Sequence, residues 1–204
     1  MSPAHAARSR AVRLSSDGIL DAAERLFAAK GYGEVSLRQL MAAAGVSTTA
    51  FYARFDSKDA VLIALAERFF TTLHETAVRS FGEVRGLAHG IERGVDVLCD
   101  HLDGRKAIVR LVIAESGSSV PTLSTRRKSY GMLVAFLADR FRALHARGRL
   151  RAPDPIALGW AMVGALEIQI LRWAVWNELE LPELREQLLA TAHAMLPRVP
   201  KEAS

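Results

Sequence analysis

Residues 36–58, SLRQLMAAAGVSTTAFYARFDSK, hold the pattern that decides the fold of this chain. Ser36 and Gln39 form an S-x-x-Q capping box, which starts a first helix. That helix carries apolar residues at helical spacing, namely Leu37, Leu40, Met41 and Ala44. Gly45 can take the left-handed conformation that ends a helix, and Ser47 is a good N-cap for the next one. The segment therefore predicts two short helices joined by a tight turn.

The second of these helices is predicted to bury two phenylalanines and to expose small polar side chains. Phe51 and Phe55 lie four residues apart, so both can pack inward. The opposite side carries Thr48, Thr49, Tyr52 and Ala53. This side has no carboxylate, and the N-terminal residues of such a helix are the ones that meet bases in the major groove. We therefore favour a helix-turn-helix over an ordinary helical hairpin, which is the alternative interpretation of the pattern.

Residues 45–62, GVSTTAFYARFDSKDAVL, closely resemble the TetR family of bacterial repressors. The family pattern runs Gly-Val-Ser, two variable residues, Leu/Phe-Tyr-x-x-Phe, then Ser-Lys and Leu. Residues 19–32, ILDAAERLFAAKGY, are similar to the first helix of that family, so the resemblance covers about residues 15–73. The family's common proline before Ser-Lys is Asp56 here, and a frequent His or Tyr is Ala53. These departures leave the expected fold intact.

The resemblance implies a transcriptional regulator that binds a palindromic operator in double-stranded DNA as a homodimer. We interpret the chain as a ligand-responsive repressor. Two other classes stay open: an all-α small-molecule-binding protein or enzyme with a vestigial helix-turn-helix, and an architectural DNA binder without a ligand site. The six histidines and Cys99 show no metal-ligand spacing, and no Walker A loop is present. We therefore expect no catalytic residue, metal or cofactor.

The expected contacts with DNA follow from the resemblance together with the helix geometry. Thr48 and Thr49 are expected to face base edges. Tyr52 and Lys58 are expected to hold phosphates, and Arg38 to reach the backbone or an adjacent base. Two N-cap serines place helix N-termini near phosphates, where free N–H groups favour anions. The complete predicted set is Ser36, Arg38, Ser47, Thr48, Thr49, Tyr52 and Lys58.

Composition indicates an all-α protein, and the length suits either one large domain or two small ones that share an interface. The chain has 204 residues, half of them hydrophobic, and it shows no run of alternating β-branched residues. We predict about nine helices, with a DNA-binding head over residues 1–55 and an antiparallel helical bundle for ligand binding and dimerisation over residues 56–204. The net charge of +5 agrees with a nucleic-acid partner, although many basic proteins bind none.

The spacing predicts helices over residues 15–30, 57–81, 105–115, 121–147, 155–177 and 182–196, with another starting near Leu87. Residues 1–14 contain three arginines, no acidic residue and no apolar run, so they are not a signal peptide. They suit either a disordered tail or an arm that adds DNA contacts, and the two interpretations are compatible.

Cys99 is the only cysteine, which favours a reducing cytosol and a buried structural thiol. The one candidate membrane segment, Ile156–Trp176, contains Glu167, Gln169 and Arg172, which are costly in lipid. We therefore expect a cytoplasmic protein without a membrane partner. The apolar segment is expected to be buried in a homodimer interface within residues 155–196.

Large apolar residues in the C-terminal half suit a pocket for a small, largely apolar effector. Glu167 could orient a polar group of that effector. The same spacing also suits a core or a dimer interface, and the sequence leaves both open. The candidate ligand contacts are Met132, Phe136, Trp160, Glu167, Trp173 and Trp176.

Overall fold

The computed structural model describes residues 3–80, 86–114, 120–150 and 154–196, with backbone alone for residues 3–15, 114 and 120–122. These residues form nine α-helices and no β-strand, which confirms the predicted fold class. The helices are α1 (Pro3–Lys30), α2 (Leu37–Ala44), α3 (Thr48–Tyr52), α4 (Lys58–Ser80), α5 (Leu87–Leu102), α6 (Lys106–Ala114), α7 (Val120–Ala146), α8 (Pro155–Ala174) and α9 (Leu181–Met195).

The predicted helix boundaries agree closely with the observed ones, except at the N-terminus. There α1 begins at Pro3 and not near Ser15. Residues 4–13 are mostly alanine and arginine, which are strong helix formers, and the first glycine is Gly18. The backbone of the expected basic tail or arm therefore continues the first helix, and its arginine side chains lie outside the described residues.

The described residues divide into two compact units. The first unit takes its residues from Met1–Arg68 and Ala107–Thr125, and the second takes its residues from Phe69–Lys106 and Arg126–Ser204. Helices α4, α6 and α7 each contribute residues to both units. The domain boundary predicted after residue 55 stays a prediction.

The first unit has a core built by helical spacing in α1, α2, α3 and α4. Its buried side chains include Ile19, Ala23, Phe27, Leu40, Phe51, Phe55, Val61, Leu62 and Leu65. Across the surface of this core, the guanidinium of Arg68 lies 2.7 Å from carboxylate oxygens of both Asp21 and Glu24. One α4 arginine therefore ties that helix to α1 next to the apolar contacts.

The second unit is a helical bundle in which α9 packs against both α5 and α8. One apolar cluster joins Ile91, Phe141, Leu150, Met162, Ala192 and Leu196, and another joins Leu73, Ala77, Val97 and Phe136. Helices α7 and α8 approach closely at Gly159. A Cβ atom there would lie 3.1 Å from Cγ1 of Val134 and 3.3 Å from its carbonyl oxygen. Glycine at this position permits the close contact.

Helix α8 leaves much of its apolar surface uncovered by the described residues. It is the one described helix whose length and composition would allow it to cross a membrane, and 22% of its most apolar window is buried. Large apolar side chains on and just after α8 remain exposed, namely Ile156, Trp160, Ile168 and Trp176. The part of the protomer that the structure describes therefore does not supply the burial expected for this segment.

Candidate nucleic-acid interface

The start and end of α2 follow the predicted capping pattern. The Ser36 Oγ accepts a hydrogen bond from the Gln39 N–H at 3.3 Å, and the Gln39 Oε1 accepts one from the Ser36 N–H at 2.9 Å. Gly45 ends the helix in the left-handed region, with φ at 64°, and its N–H donates to the Ala42 carbonyl oxygen of the last turn. The capping box and the turn glycine are both confirmed.

Helix α3 is short, and its two faces are as predicted. The Ser47 Oγ accepts a hydrogen bond from the Ala50 N–H at 3.1 Å and so caps the helix. Phe51 is fully buried and Phe55 is 9% exposed. The opposite side presents Thr48, Thr49, Tyr52 and Ala53, all of them exposed. This surface offers two hydroxyls and a phenol on a rigidly packed element.

The charge around α2 and α3 suits an anionic partner. Residues 36–55 contain no Asp or Glu, and the side chain of Arg38 is exposed. Arg54 is placed differently, because one of its guanidinium N–H groups donates to the Ala50 carbonyl at 2.5 Å. Arg38 is thus a cation on the open surface, whereas Arg54 helps to close the end of α3.

Lys58 occupies an environment that sequence reasoning did not foresee. Its ammonium donates to the carbonyl oxygens of Tyr32 at 2.8 Å and Val35 at 3.0 Å, and it lies 3.5 Å from that of Gly33. It also sits 4.3 Å from the centroid of the Tyr32 ring. No spacing rule links a helix start to a turn more than twenty residues earlier. The expected phosphate contact of Lys58 stays a prediction.

The aromatic candidates for ligand contact lie in different environments. Phe136 is buried in the cluster of α4, α5 and α7. Trp173 is 4% exposed, with the Lys106 ammonium 5.5 Å from its ring centroid. Trp160 and Trp176 are 43% and 53% exposed. These four side chains thus differ widely in exposure, and their ligand contacts stay predictions.

The two remaining candidates for ligand contact, Met132 and Glu167, lie on α7 and α8. Met132 is half-buried on α7. Glu167 forms an ion pair with Arg126, and the Arg126 Nε donates to the Tyr130 hydroxyl at 3.2 Å. Burial raises the pKa of Tyr130, and the positive charge of Arg126 opposes that shift. The carboxylate expected to orient an effector is thus occupied in joining α8 to α7.

A polar depression of about 420 Å³ lies between α4 and α5, where sequence reasoning placed no site. Its lining comprises Thr76, Ser80, Arg93, Val97, Asp100, His101, Asp103 and Arg105. His101 is 8% exposed, its Nδ1 lies 3.3 Å from a guanidinium nitrogen of Arg105, and its ring centroid lies 4.5 Å from that of Phe69. Arginine can only donate, so Nδ1 is the acceptor in the neutral ring. Burial, and then Arg105, lower the pKa of His101 to about 4.

Cys99, two residues before this histidine, is a buried thiol, as predicted. Burial raises its pKa to about 11, and the nearby Arg185 guanidinium only partly opposes that shift. Because the thiolate is the reactive form of cysteine, this side chain is chemically quiet in the folded protein.

Known proteins resemble this chain most clearly in sequence over its N-terminal region. Residues 19–65 match the family described as bacterial regulatory proteins, tetR family. An uncharacterized HTH-type transcriptional regulator of Mycobacterium tuberculosis (strain H37Rv) is 38% identical over 60 residues. That alignment covers 29% of this chain and only 30% of the relative's length.

Solved structures extend the likeness to the whole fold. A TetR-family protein of Syntrophomonas wolfei superposes with a TM-score of 0.80 at 18% identity, covering 90% of this chain and 95% of that one. A fatty acid degradation regulator of Bacillus halodurans gives a TM-score of 0.75 at 18% identity, covering 88% and 96%. Residues 19–65 therefore match the N-terminal domain of the tetR family, and the described helices have the fold of those solved structures.

The buried imidazole of His101 predicts a loss of stability in mild acid. Its pKa is about 4 in the folded protein against an ordinary value of 6.5, so the unfolded state binds the extra proton between these limits. The free energy of unfolding should fall as the pH drops from 6.5 to 4, by about 2 kcal/mol after allowance for water in the open depression. Urea unfolding across this pH range measures the effect.

The matched variants for this experiment are His101→Gln and His89→Gln, since His89 is an exposed histidine on the same helix. His101→Gln should flatten the pH dependence, whereas His89→Gln should leave it as in the wild type. An unchanged pH dependence in His101→Gln would show that the buried ring is not the group responsible.

Proposed function

We propose that this chain is a ligand-responsive transcriptional repressor that binds a palindromic DNA operator as a homodimer. The observation that supports this most is the exposed hydroxyl face of α3, which is held in place by the buried Phe51 and lies within a segment, residues 36–55, that contains no Asp or Glu. Its place within a tetR-family domain adds independent support. The proposal includes a cytoplasmic location and the lack of an enzymatic role.

The proposed DNA contacts use the exposed side chains of α2 and α3. Thr48 and Thr49 stand in the first turn of α3, where a helix in the major groove meets base edges. Tyr52, which is 48% exposed, would donate its hydroxyl to a phosphate. Arg38 would reach the backbone from α2. The N-cap serines described above would bring helix starts close to phosphates.

The same proposal requires two copies of the chain. A recognition helix of five residues reads few base pairs, whereas a two-fold dimer reads two half-sites and gains affinity from both. Residues 155–196 are the proposed interface because α8 leaves its apolar side open. Ile156, Trp160, Gly164 and Ile168 recur every four residues along it. A Cβ at Gly164 would meet nothing within 4 Å, so a second α8 has room to cross there.

We further propose that a small, largely apolar effector binds the helical body and weakens operator binding. Support comes from the large apolar side chains of α7 and α8 and from α4, which contributes to both units. A coupling of about 1 to 3 kcal/mol would lower DNA affinity roughly 5- to 150-fold.

Operator binding should show both sequence preference and a steep salt dependence. Selection from a random pool of duplexes with the wild-type protein should yield inverted repeats whose half-site centres lie about one helical turn, or a multiple of it, apart. The logarithm of affinity should fall with the logarithm of salt by about 0.9 for each phosphate neutralised. Binding to random duplex as tight as to any selected sequence would point to the architectural or vestigial alternatives.

Base readout is tested by substitution within the same experiment. Thr49→Ala should change the preferred base pair at one position of each half-site, since a direct contact at a base edge is lost. Thr71→Ala, which alters an exposed threonine on α4, serves as the control and should select the wild-type repeat. Identical selected sequences for all three proteins would contradict the proposed placement of α3.

The dimer interface is tested at Gly164. Gly164→Glu places a carboxylate where the two copies of α8 are proposed to cross, and burying an unpaired charge is costly. Sedimentation at micromolar protein concentration should then show monomers, and operator affinity should fall. Ala143→Glu adds the same charge at an exposed site on α7 and should leave the dimer intact. A Gly164→Glu protein that still dimerises like the wild type would place the interface elsewhere.

The effector proposal predicts a reciprocal coupling. A panel of small acyl and aromatic compounds is titrated into free and operator-bound protein, and tryptophan emission from Trp160, Trp173 and Trp176 is followed. A compound that releases DNA must bind the operator complex more weakly by the same factor. Equal affinities for free and operator-bound protein across the panel would favour a DNA binder without such an effector.

A further inference from the structure

Lys58, at the first residue of α4, turns its ammonium toward the connection between α1 and α2. The connection spans residues 31–36, and three of its carbonyl oxygens lie within 3.5 Å of the Lys58 Nζ. Resting on the proposed function, we infer that Lys58 is a positioning residue that fixes the start of α2, and we propose this role in place of the phosphate contact expected from the sequence.

The chemistry of the ammonium group favours this assignment. Lysine has three N–H donors and no acceptor, and the carbonyls of Tyr32, Gly33 and Val35 offer three acceptors. The face of the Tyr32 ring, 4.3 Å away, adds an attraction for the positive charge. A phosphate could bind the ammonium only by competing with these carbonyls for its donors. Lys58 is also only partly exposed, which reduces its reach toward a ligand.

A second contact from α4 holds the same connection. The Tyr32 hydroxyl donates to the carboxylate of Asp59, the next residue of the helix. The Tyr32 ring in turn packs edge-on against Phe27 of α1, with centroids 5.2 Å apart. Two consecutive α4 residues therefore bind one short connection. The Lys58 side chain binds backbone carbonyls of the connection, and the Asp59 side chain binds the Tyr32 hydroxyl. We name this pair of contacts the α4 latch.

The latch acts directly on the proposed DNA-binding surface. Val35, whose carbonyl it holds, is 1% exposed and immediately precedes Ser36, the N-cap of α2. The direction of the first turn of α2, and with it the position of Arg38, is thereby tied to the start of α4. A shift of that helix start would move α2 through hydrogen bonds and would not require any change in the apolar core.

Salt dependence separates a positioning role from a phosphate contact. The full-length protein and its Lys58→Met variant are titrated with a duplex selected by the wild type, over a range of salt concentrations. Loss of two charge-assisted hydrogen bonds in the latch should weaken binding by about tenfold or more. The slope of log affinity against log salt should stay unchanged, whereas a lost phosphate contact would reduce it by about 1.

Controls make the result specific to the latch. Lys30→Met removes an equal charge at an exposed position at the end of α1 and should change neither affinity nor slope. Tyr32→Phe removes only the hydroxyl bonded to Asp59, so it cannot alter the slope through charge. It should weaken binding less than Lys58→Met does. This milder variant also serves if Lys58→Met does not fold.

Amide hydrogen exchange on the free protein provides a readout that needs no DNA. Exchange in residues 37–40 should be faster in Lys58→Met and Tyr32→Phe than in the wild type and Lys30→Met. A slope reduced by about 1, or unchanged exchange in both latch variants, would overturn the inference. If the wild type selects no duplex at all, the proposed function fails while the exchange comparison still decides the latch.

Discussion

The proposed DNA-binding surface depends on the packing of Phe51, which is completely buried. Helix α3 has five residues, far fewer than an isolated helix needs for stability in water. It exists because Phe51 and Phe55 are packed into the core of the first unit and because Ser47 caps its first turn. The outward positions of Thr48 and Thr49 follow from that inward anchor, since helix geometry places them on the other side. The proposed recognition surface is therefore a product of tertiary packing.

The second unit shows a different balance of burial and charge. Its core is shared by five helices, yet α8 keeps much of its apolar surface open. Polar atoms at helix junctions are matched locally: Glu167 pairs with Arg126, and Asp96 pairs with Arg185 at 2.7 Å. A partly buried carboxylate such as Glu167 is costly without a partner, so its pairing across α7 and α8 helps to specify how those helices meet. The surface that α8 leaves open among the described residues is apolar, which is the kind of surface that association buries.

Local signals predicted most of this structure, while contacts between distant segments escaped prediction. Caps at Ser36 and Ser47, the turn at Gly45 and the spacing of Phe51 and Phe55 depend on residues a few positions apart, and all were predicted correctly. For Lys58, the family pattern predicted a phosphate contact. Its hydrogen bonds to the carbonyls of Tyr32 and Val35 depend instead on how α1 and α4 meet, which no local signal predicts.

The difference between local signals and distant contacts also explains why the burial of the aromatic residues in the second unit was not predicted. Phe136, Trp160, Trp173 and Trp176 are large and apolar by residue type, but helical spacing could not assign each of them to the core or to the surface. That sorting depends on which neighbour covers each face. The N-terminal extension of α1 escaped prediction for another reason. Three arginines without acidic neighbours favour a tail or a DNA-binding arm, whereas the alanines between them favour a helix.

The unreactive thiol of Cys99 has a practical consequence for measuring motion in this protein. The chain has a single cysteine, it is buried, and its pKa of about 11 leaves almost no thiolate at neutral pH. A cysteine introduced at an exposed position would therefore be the one thiol open to maleimide or nitroxide reagents in the native state. Spin or fluorescent labels could then report distances within an assembly while the natural residue stays in its place.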